Sequence, residues 1–240
     1  MSCAVFLNGD YEDEAFYRAR YEAAQGVVAV DGGHHFLRRL GLWPDVLVGD
    51  FDSLDPPLVD DAMAAGVEVV RHPQRKDETD AELAVALAER RWTGGLELLG
   101  ALGGSFDHAL GHVCVLRGLA ERGRAARLAS PSLAATVVVA PAELSLTSPI
   151  GTRVSLVALD AAVVISLRGF DYEVTGERLS ASSCRGLGNR IVQARPRVAL
   201  TSGVLFVASG DGDETFGGQR PAPEVPQAQP SDRDVGEGRP

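Results

Sequence analysis

The sequence predicts an α/β fold: an N-terminal, mostly parallel sheet flanked by helices, followed by an all-β sandwich domain. Three observations carry this. Short apolar runs alternate with amphipathic stretches through the first half of the chain. Those runs are apolar at nearly every position, as in strands buried on both faces. Near residue 130 the helical pattern stops, and short β-rich runs punctuated by Gly and Pro replace it.

Residues 4–7, 27–30, 46–48, 68–71, 96–99 and 126–128 read as strands because they are short and mostly apolar, and most are rich in Val or Leu. Between them, 13–24, 36–40, 57–65, 80–91 and 108–121 read as amphipathic helices. Strands separated by helical crossovers run parallel. In the second half the clearest strands are 137–139, 153–159, 163–167, 190–194, 198–200 and 205–208. Pro141, Pro149, Gly151, Gly169 and Gly203 punctuate them. The boundary falls near 130–135, giving an α/β domain over 1–132 and a β-sandwich over 133–209. From 210 to 240 Gly, Pro, Gln and acidic residues dominate, which predicts a disordered tail.

The 240 residues are 45% hydrophobic, enough for a substantial core. A formal net charge of −10 speaks against nucleic-acid binding, which needs clustered positive charge. It does not speak against a nucleotide, because Mg2+ reconciles carboxylates with phosphates. Cys3, Cys114 and Cys184 are far apart and show no metal-ligand spacing, as expected of a reducing compartment. The N-terminus has neither a basic stretch nor a long apolar run, so the expectation is a cytoplasmic chain with no signal peptide and no membrane helix.

Polar clusters follow four of the strands and precede helices. They are Asp31-Gly32-Gly33, Gly49-Asp50-Phe51-Asp52-Ser53, Lys76-Asp77-Glu78-Thr79-Asp80 and Gly103-Gly104-Ser105-Phe106-Asp107-His108. In a parallel sheet these positions share the carboxyl edge, where open α/β sheets bind ligands. Asp50 and Asp52, two apart in extended chain, face one side. Two carboxylates so placed call for a cation, and hard oxygen donors suit Mg2+. The plainer alternative is a solvated acidic loop or a helix cap. Thr79 and Glu82 form a capping-box pattern, and Asp80 suits a first helical turn. That accounts for three residues without a ligand, but not for Lys76 or Asp77. Lys76 is the single lysine beside 22 arginines, and a compact ammonium inside an acidic run fits the holding of a phosphate. The two Gly-Gly pairs allow tight turns and close ligand approach at helix N-termini, although an ordinary turn explains either pair alone. Neither G-x-x-x-x-G-K-S/T nor G-x-G-x-x-G occurs, which disfavours P-loop kinases and dinucleotide dehydrogenases. No zinc constellation or G-x-S-x-G hydrolase elbow is present.

As a set, Val30-Asp31-Gly32-Gly33, Pro44-Asp45 leading to the Asp50 cluster, the Lys76 cluster and the Gly103 cluster resemble thiamine pyrophosphokinases in order and spacing. The resemblance is strongest over 27–118 and continues to residue 208. It implies transfer of the β,γ-diphosphate of ATP to the hydroxyethyl group of thiamine, with release of AMP. It also implies Mg2+ as cofactor, and a homodimer with sites between subunits. Asp50, Asp52 and an aspartate of the 76–80 run would hold the metal, Asp80 in preference to Asp77, and Lys76 would join them as the catalytic set. Asp31, Gly32, Gly33, Thr79, Gly103, Gly104, Asp107 and His108 would line the nucleotide and transfer site. In the second domain Ser183-Cys184-Arg185-Gly186-Leu187-Gly188-Asn189 resembles the thiamine-contacting stretch, with Ser183, Arg185 and Asn189 as contacts. Gly188 stands where the family has serine, and Ser105 where arginine is common, unless a nearby arginine substitutes. These departures leave two rivals: an enzyme with another alcohol acceptor, and a nucleotide-binding regulator without turnover. A nucleotide-sugar transferase using the Asp50/Asp52 pair gains no support from Lys76, Asp77 or the small β domain.

Overall fold

The computed structural model describes residues 2–52, 54 and 56–220. Ser53 and the stretch 221–240, most of the expected tail, lie outside the described residues. The first half runs β1 (Cys3–Phe6), α1 (Glu14–Ala23), β2 (Gly26–Val30), α2 (Gly32–Arg39), β3 (Val46–Gly49), α3 (Pro56–Ala64), β4 (Glu68–Arg71), α4 (Asp80–Arg91), β5 (Leu96–Leu99), α5 (Phe106–Glu121) and β6 (Ala126–Ser130). The second half is all strand: β7 (Leu133–Val139), β8 (Ala142–Ser145), β9 (Arg153–Ala158), β10 (Ala162–Arg168), β11 (Val174–Ser180), β12 (Asn189–Arg190), β13 (Arg197–Ser202), β14 (Val204–Ser209) and β15 (Gly217–Arg220).

Strands β1 to β6 are parallel, in the order β6-β5-β1-β2-β3-β4. From β1 the chain winds outward through β2, β3 and β4, then returns over α4 to β5 on the other side of β1. The order therefore reverses between β1 and β5, and a crevice opens at their carboxyl ends. One face buries Val5, Val28, Val46 and Leu98 against Ala84, Leu87, Leu116 and Leu119 of α4 and α5. The other buries Phe6, Ala29 and Leu47 against Tyr17, Phe36, Leu37 and Val59 of α1, α2 and α3. These opposed sets explain why the strands are apolar throughout.

The sheet does not stop at β6. A tight antiparallel hairpin pairs Leu128 with Ala135, and β7, β14, β9 and β12 extend the sheet to ten strands. The second sheet, β11-β10-β13-β8-β15, packs on this extension. Val138, Leu156, Leu205 and Val207 of one sheet meet Leu144, Ile165, Leu167 and Leu200 of the other.

Four local features differ from the expectation. Helix α2 begins at Gly32 rather than near residue 36. Glycine is a poor helix former, but a Cβ on Gly33 would lie 2.1 Å from the Phe6 carbonyl oxygen, so only glycine lets α2 start against β1. Strand β11 went unseen because most of its side chains are solvent-facing, and the 190–194 strand shrinks to Asn189–Arg190. Residues 211–220 carry order that composition does not signal: Glu214 is fully buried and β15 pairs with β8.

His34 is a core residue, packed 5.8 Å from the Trp43 ring, whereas His35 is exposed. Burial, helped by the Arg38 charge, lowers the His34 pKa from 6.5 to about 4. Between those values the unfolded chain binds a proton that the folded chain excludes. Stability is therefore full above about pH 6.5 and falls as pH drops towards 4, by on the order of 2–3 kcal/mol. Denaturant titrations at pH 7 and pH 4.5 measure this loss. His34→Leu is expected to flatten the slope, and an unchanged slope would assign it to other groups.

Candidate active site

Loops after four strands line the crevice, while the Asp50–Asp52 turn after β3 does not line it and is tied to it through Lys76, which pairs with Asp50 and with the lining residue Asp80. The unforeseen one is the β1 loop, Leu7-Asn8-Gly9-Asp10, which lines a cavity of about 860 Å³ together with Asp31, Thr79, Asp80, Gly103, Gly104, Ser105, Asp107 and His108. Asp10 is the residue that sequence reasoning missed here. Its Oδ2 accepts the Gly104 N–H at 3.0 Å, tying the β1 loop to the β5 loop across the reversal point. The available signal was an Asn-Gly-Asp turn after an apolar strand. Gly103 packs against Asp10, so close loop-to-loop approach accounts for that glycine, while Gly104 has open space around it. Gly32 borders a neighbouring hollow with Asp10, His35 and Arg39, and Gly33 is buried.

Asp31 follows β2 with φ 39° and ψ −108°, a strained backbone outside the left-handed helical region. It is 7% exposed, and its Oδ1 has no hydrogen-bond partner. Burial first, then the charges of Asp80, Asp50 and Asp52, push its pKa up to about 6. Phe51, at φ 63°, turns the chain between Asp50 and Asp52. The turn closes through the Asp52 N–H, which donates to Asp50 Oδ1 at 3.1 Å. Arg71 and Gln74, both unforeseen, brace it. Arg71 donates to the Asp50 carbonyl at 3.2 Å and lies over the Phe51 ring, and Gln74 donates to Asp52 Oδ2 at 3.3 Å.

Lys76 reaches into this cluster, with Nζ 2.8 Å from Asp80 Oδ1 and 3.9 Å from Asp50 Oδ2. Burial opposes its charge, but Asp80, Asp50 and Asp31 outweigh burial and hold its pKa above the usual lysine value. Asp77 is exposed and makes no ion pair among the described residues. Asp80 is thus the aspartate of this run that joins the cluster. Thr79 and Glu82 form the capping box: the Thr79 hydroxyl accepts the Glu82 N–H at 3.2 Å, and Glu82 accepts the Thr79 N–H at 2.8 Å.

Across the crevice, Asp107 and His108 lie in the first turn of α5. The Ser105 hydroxyl and the His108 N–H hold the Asp107 carboxyl below its usual range. His112 bonds through Nδ1 to the Ala101 carbonyl at 2.8 Å and lines the same cavity. No arginine lines the cavity among the described residues.

The second-domain residues gather elsewhere. Arg185 and Asn189 line an apolar hollow of about 320 Å³ with Leu156, Leu167, Tyr172 and Leu187, while Ser183 lies outside it and accepts the Arg185 N–H at 3.3 Å. Within one chain this hollow and the aspartate crevice share no lining residue. Asn189 is buried and already paired: its Nδ2 donates to the Tyr172 carbonyl, and its Oδ1 accepts the Tyr172 and Arg190 N–H groups. Arg185 pairs with Glu177 at 3.1 Å. Gly188 has φ +77°, which strains any side chain-bearing residue, so this local backbone accounts for glycine where serine is usual.

Residues 17–126 match the sequence profile of the thiamin pyrophosphokinase catalytic domain, a span that holds every site residue from Asp31 to His108. The catalytic half of the chain is thus similar to the thiamine pyrophosphokinases. It is 37% identical over 84 residues to thiamine pyrophosphokinase 1 of Oryza sativa subsp. japonica, a match covering 32% of each chain. The matched stretch thus spans about a third of that plant relative. A thiamine pyrophosphokinase of Bacillus subtilis is 23% identical over 182 residues, covering 75% of this chain and 85% of its own. The crystal structure of thiamin pyrophosphokinase from Geobacillus thermodenitrificans superposes with a TM-score of 0.74 at 25% identity, covering 89% of this chain and 99% of that one. The likeness in sequence thus lies mainly in the catalytic half, and the likeness in fold extends through the sandwich.

Proposed function

We propose that the chain is a thiamine diphosphokinase, transferring the diphosphate of ATP to the hydroxyl of thiamine and releasing AMP. The observation that carries this is the convergence of Asp31, Asp50, Asp80 and Lys76 beside the crevice at the β1–β5 reversal. Residues 1–132 would bind nucleotide and carry the chemistry, and 133–209 would bind thiamine.

The cluster fits a divalent cation in donor type and in charge. Its donors are hard carboxylate oxygens, several aspartates share one ammonium, and Asp31 Oδ1 is buried without a partner. Hard donors of this kind suit Mg2+, which takes one or two carboxylates and keeps several waters, although among the described residues no three such side chains stand at metal-binding spacing. Asp50, Asp52 and Asp80 would hold it, and it would neutralise charge on the phosphate oxygens.

The chain's own groups do the rest. The thiamine hydroxyl oxygen attacks the β-phosphorus of ATP. A P–O bond forms there, and the α,β-bridging P–O bond breaks as AMP leaves. Lys76 supplies positive charge to the transferring diphosphate, and Asp107 and His108 in the first turn of α5 line the same crevice. Carboxylates in the cluster are available to take the hydroxyl proton. An acidic crevice also suits thiamine, which is a cation.

Because the aspartates and the apolar hollow are separate within one chain, the reading includes a homodimer in which the hollow of one subunit completes the crevice of the other. Exposed Phe106 and Leu110 on α5, and Tyr172 and Leu187 at the hollow, offer apolar surface for such an interface. No described helix is long and apolar enough to cross a membrane, and the reading places the enzyme in the cytoplasm.

Incubation with thiamine, ATP and Mg2+ is expected to yield thiamine diphosphate and AMP in equal amounts. ADP as product, or ATP binding without any product, would overturn the assignment.

A further inference from the structure

Lys76 is not free to meet a phosphate in the ligand-free chain. Its ammonium sits 2.8 Å from Asp80 and 3.9 Å from Asp50, with only 10% of the side chain exposed. Those are two of the three carboxylates assigned above to the divalent cation. Asp31 adds a third buried carboxylate to the cluster, with an unpartnered Oδ1. A divalent cation drawn to these carboxylates would compete with the ammonium for their charge, because like charges so close repel.

We infer that Lys76 is the built-in counter-ion of the carboxylate cluster, displaced when the divalent cation enters and thereby released to the incoming phosphates. The inference rests on the metal assignment above. It accounts for the one lysine in a chain that otherwise uses arginine. A guanidinium forked onto a carboxylate holds more stably, whereas a single ammonium on a flexible stem lets go and swings. It also sets an order. Free metal must compete with Lys76, while metal arriving with phosphates gives the ammonium a new partner.

The first test is Mn2+ binding without nucleotide, followed by electron paramagnetic resonance. Lys76→Met is expected to bind Mn2+ at least about tenfold more tightly than the unmodified chain. Lys76→Arg, which keeps the charge, is expected to bind no more tightly, and Asp50→Asn more weakly. The second test needs no substitution. Lysine labelled with carbon-13 at Cε gives a single resonance in this chain, and saturating Mg2+ is expected to shift it. That arm decides the matter if Lys76→Met does not fold. Asp50-dependent metal binding with a stationary lysine signal and no tightening in Lys76→Met would overturn the inference and leave the metal site standing. Mn2+ binding indifferent to Asp50→Asn would remove the metal assignment, and this inference with it.

Discussion

Asp50→Asn is expected to lower turnover by at least about a hundredfold while leaving the melting temperature unchanged or slightly raised. The two halves have one cause. Asp50 is 14% exposed at the side chain and lies among like charges, as the raised pKa of Asp31 records. Like charges crowded together destabilise the folded state, so neutralising one relieves repulsion. The turn itself survives, because asparagine keeps an oxygen to accept the Asp52 N–H, and Arg71 grips the Asp50 carbonyl rather than its side chain. What disappears, on the proposed reading, is a negative charge that would hold the divalent cation. Steady-state formation of thiamine diphosphate, measured beside a thermal melt, separates the cases. Near-normal turnover would remove Asp50 from the metal set. A parallel loss of activity and stability would make it a structural residue.

The sequence exposed the chemistry better than its framing. Asp31, Asp50, Lys76 and Asp80 could be found because each follows an apolar run, and strand order in an α/β sheet sends such positions to one edge. The Thr79–Glu82 capping box was legible for a different reason: it is local, closing over three residues. Asp10 and Arg71 were not legible. The bond from Gly104 to Asp10 spans 94 residues and exists only because β1 and β5 are neighbours. Nothing near Asp10 in sequence reports that adjacency. Arg71 ends a short strand and reads as a solvated charge until Phe51 is known to turn back beneath it. The glycine pairs carried an ambiguous signal: Gly33 serves packing, whereas Gly104 is left open. Composition misled most at residues 211–220, where hydrogen bonds to Glu214, the pairing of β15 with β8 and the packing of Phe216 on the sandwich core hold the chain.

That segment carries the second large expected effect. Glu214→Ala is expected to cost about 3–5 kcal/mol, lowering the melting temperature by roughly 10 °C. Glu214 is fully buried, and its carboxylate accepts the backbone N–H and hydroxyl of both Thr147 and Ser148. Removing it strands two backbone donors, one of them buried, where water does not easily replace the lost acceptor. The same short stretch is held from the other side. Arg127 donates to the Glu214 carbonyl, and Arg20 donates to the Gly212 carbonyl and pairs with Asp213. Both arginines converge on Glu97 of β5, which is 4% exposed. Residues 212–214 thus join the parallel sheet to the sandwich through polar contacts alone. Glu214→Gln keeps one oxygen but turns an amide N–H2 towards donors, so it should fall between wild type and alanine. Truncation after Gly210 should match or exceed the alanine loss, since it also removes the contacts to Arg20 and Arg127. A melting temperature within about 2 °C of wild type for both Glu214→Ala and the truncated chain would show that the two halves hold together without this polar strap.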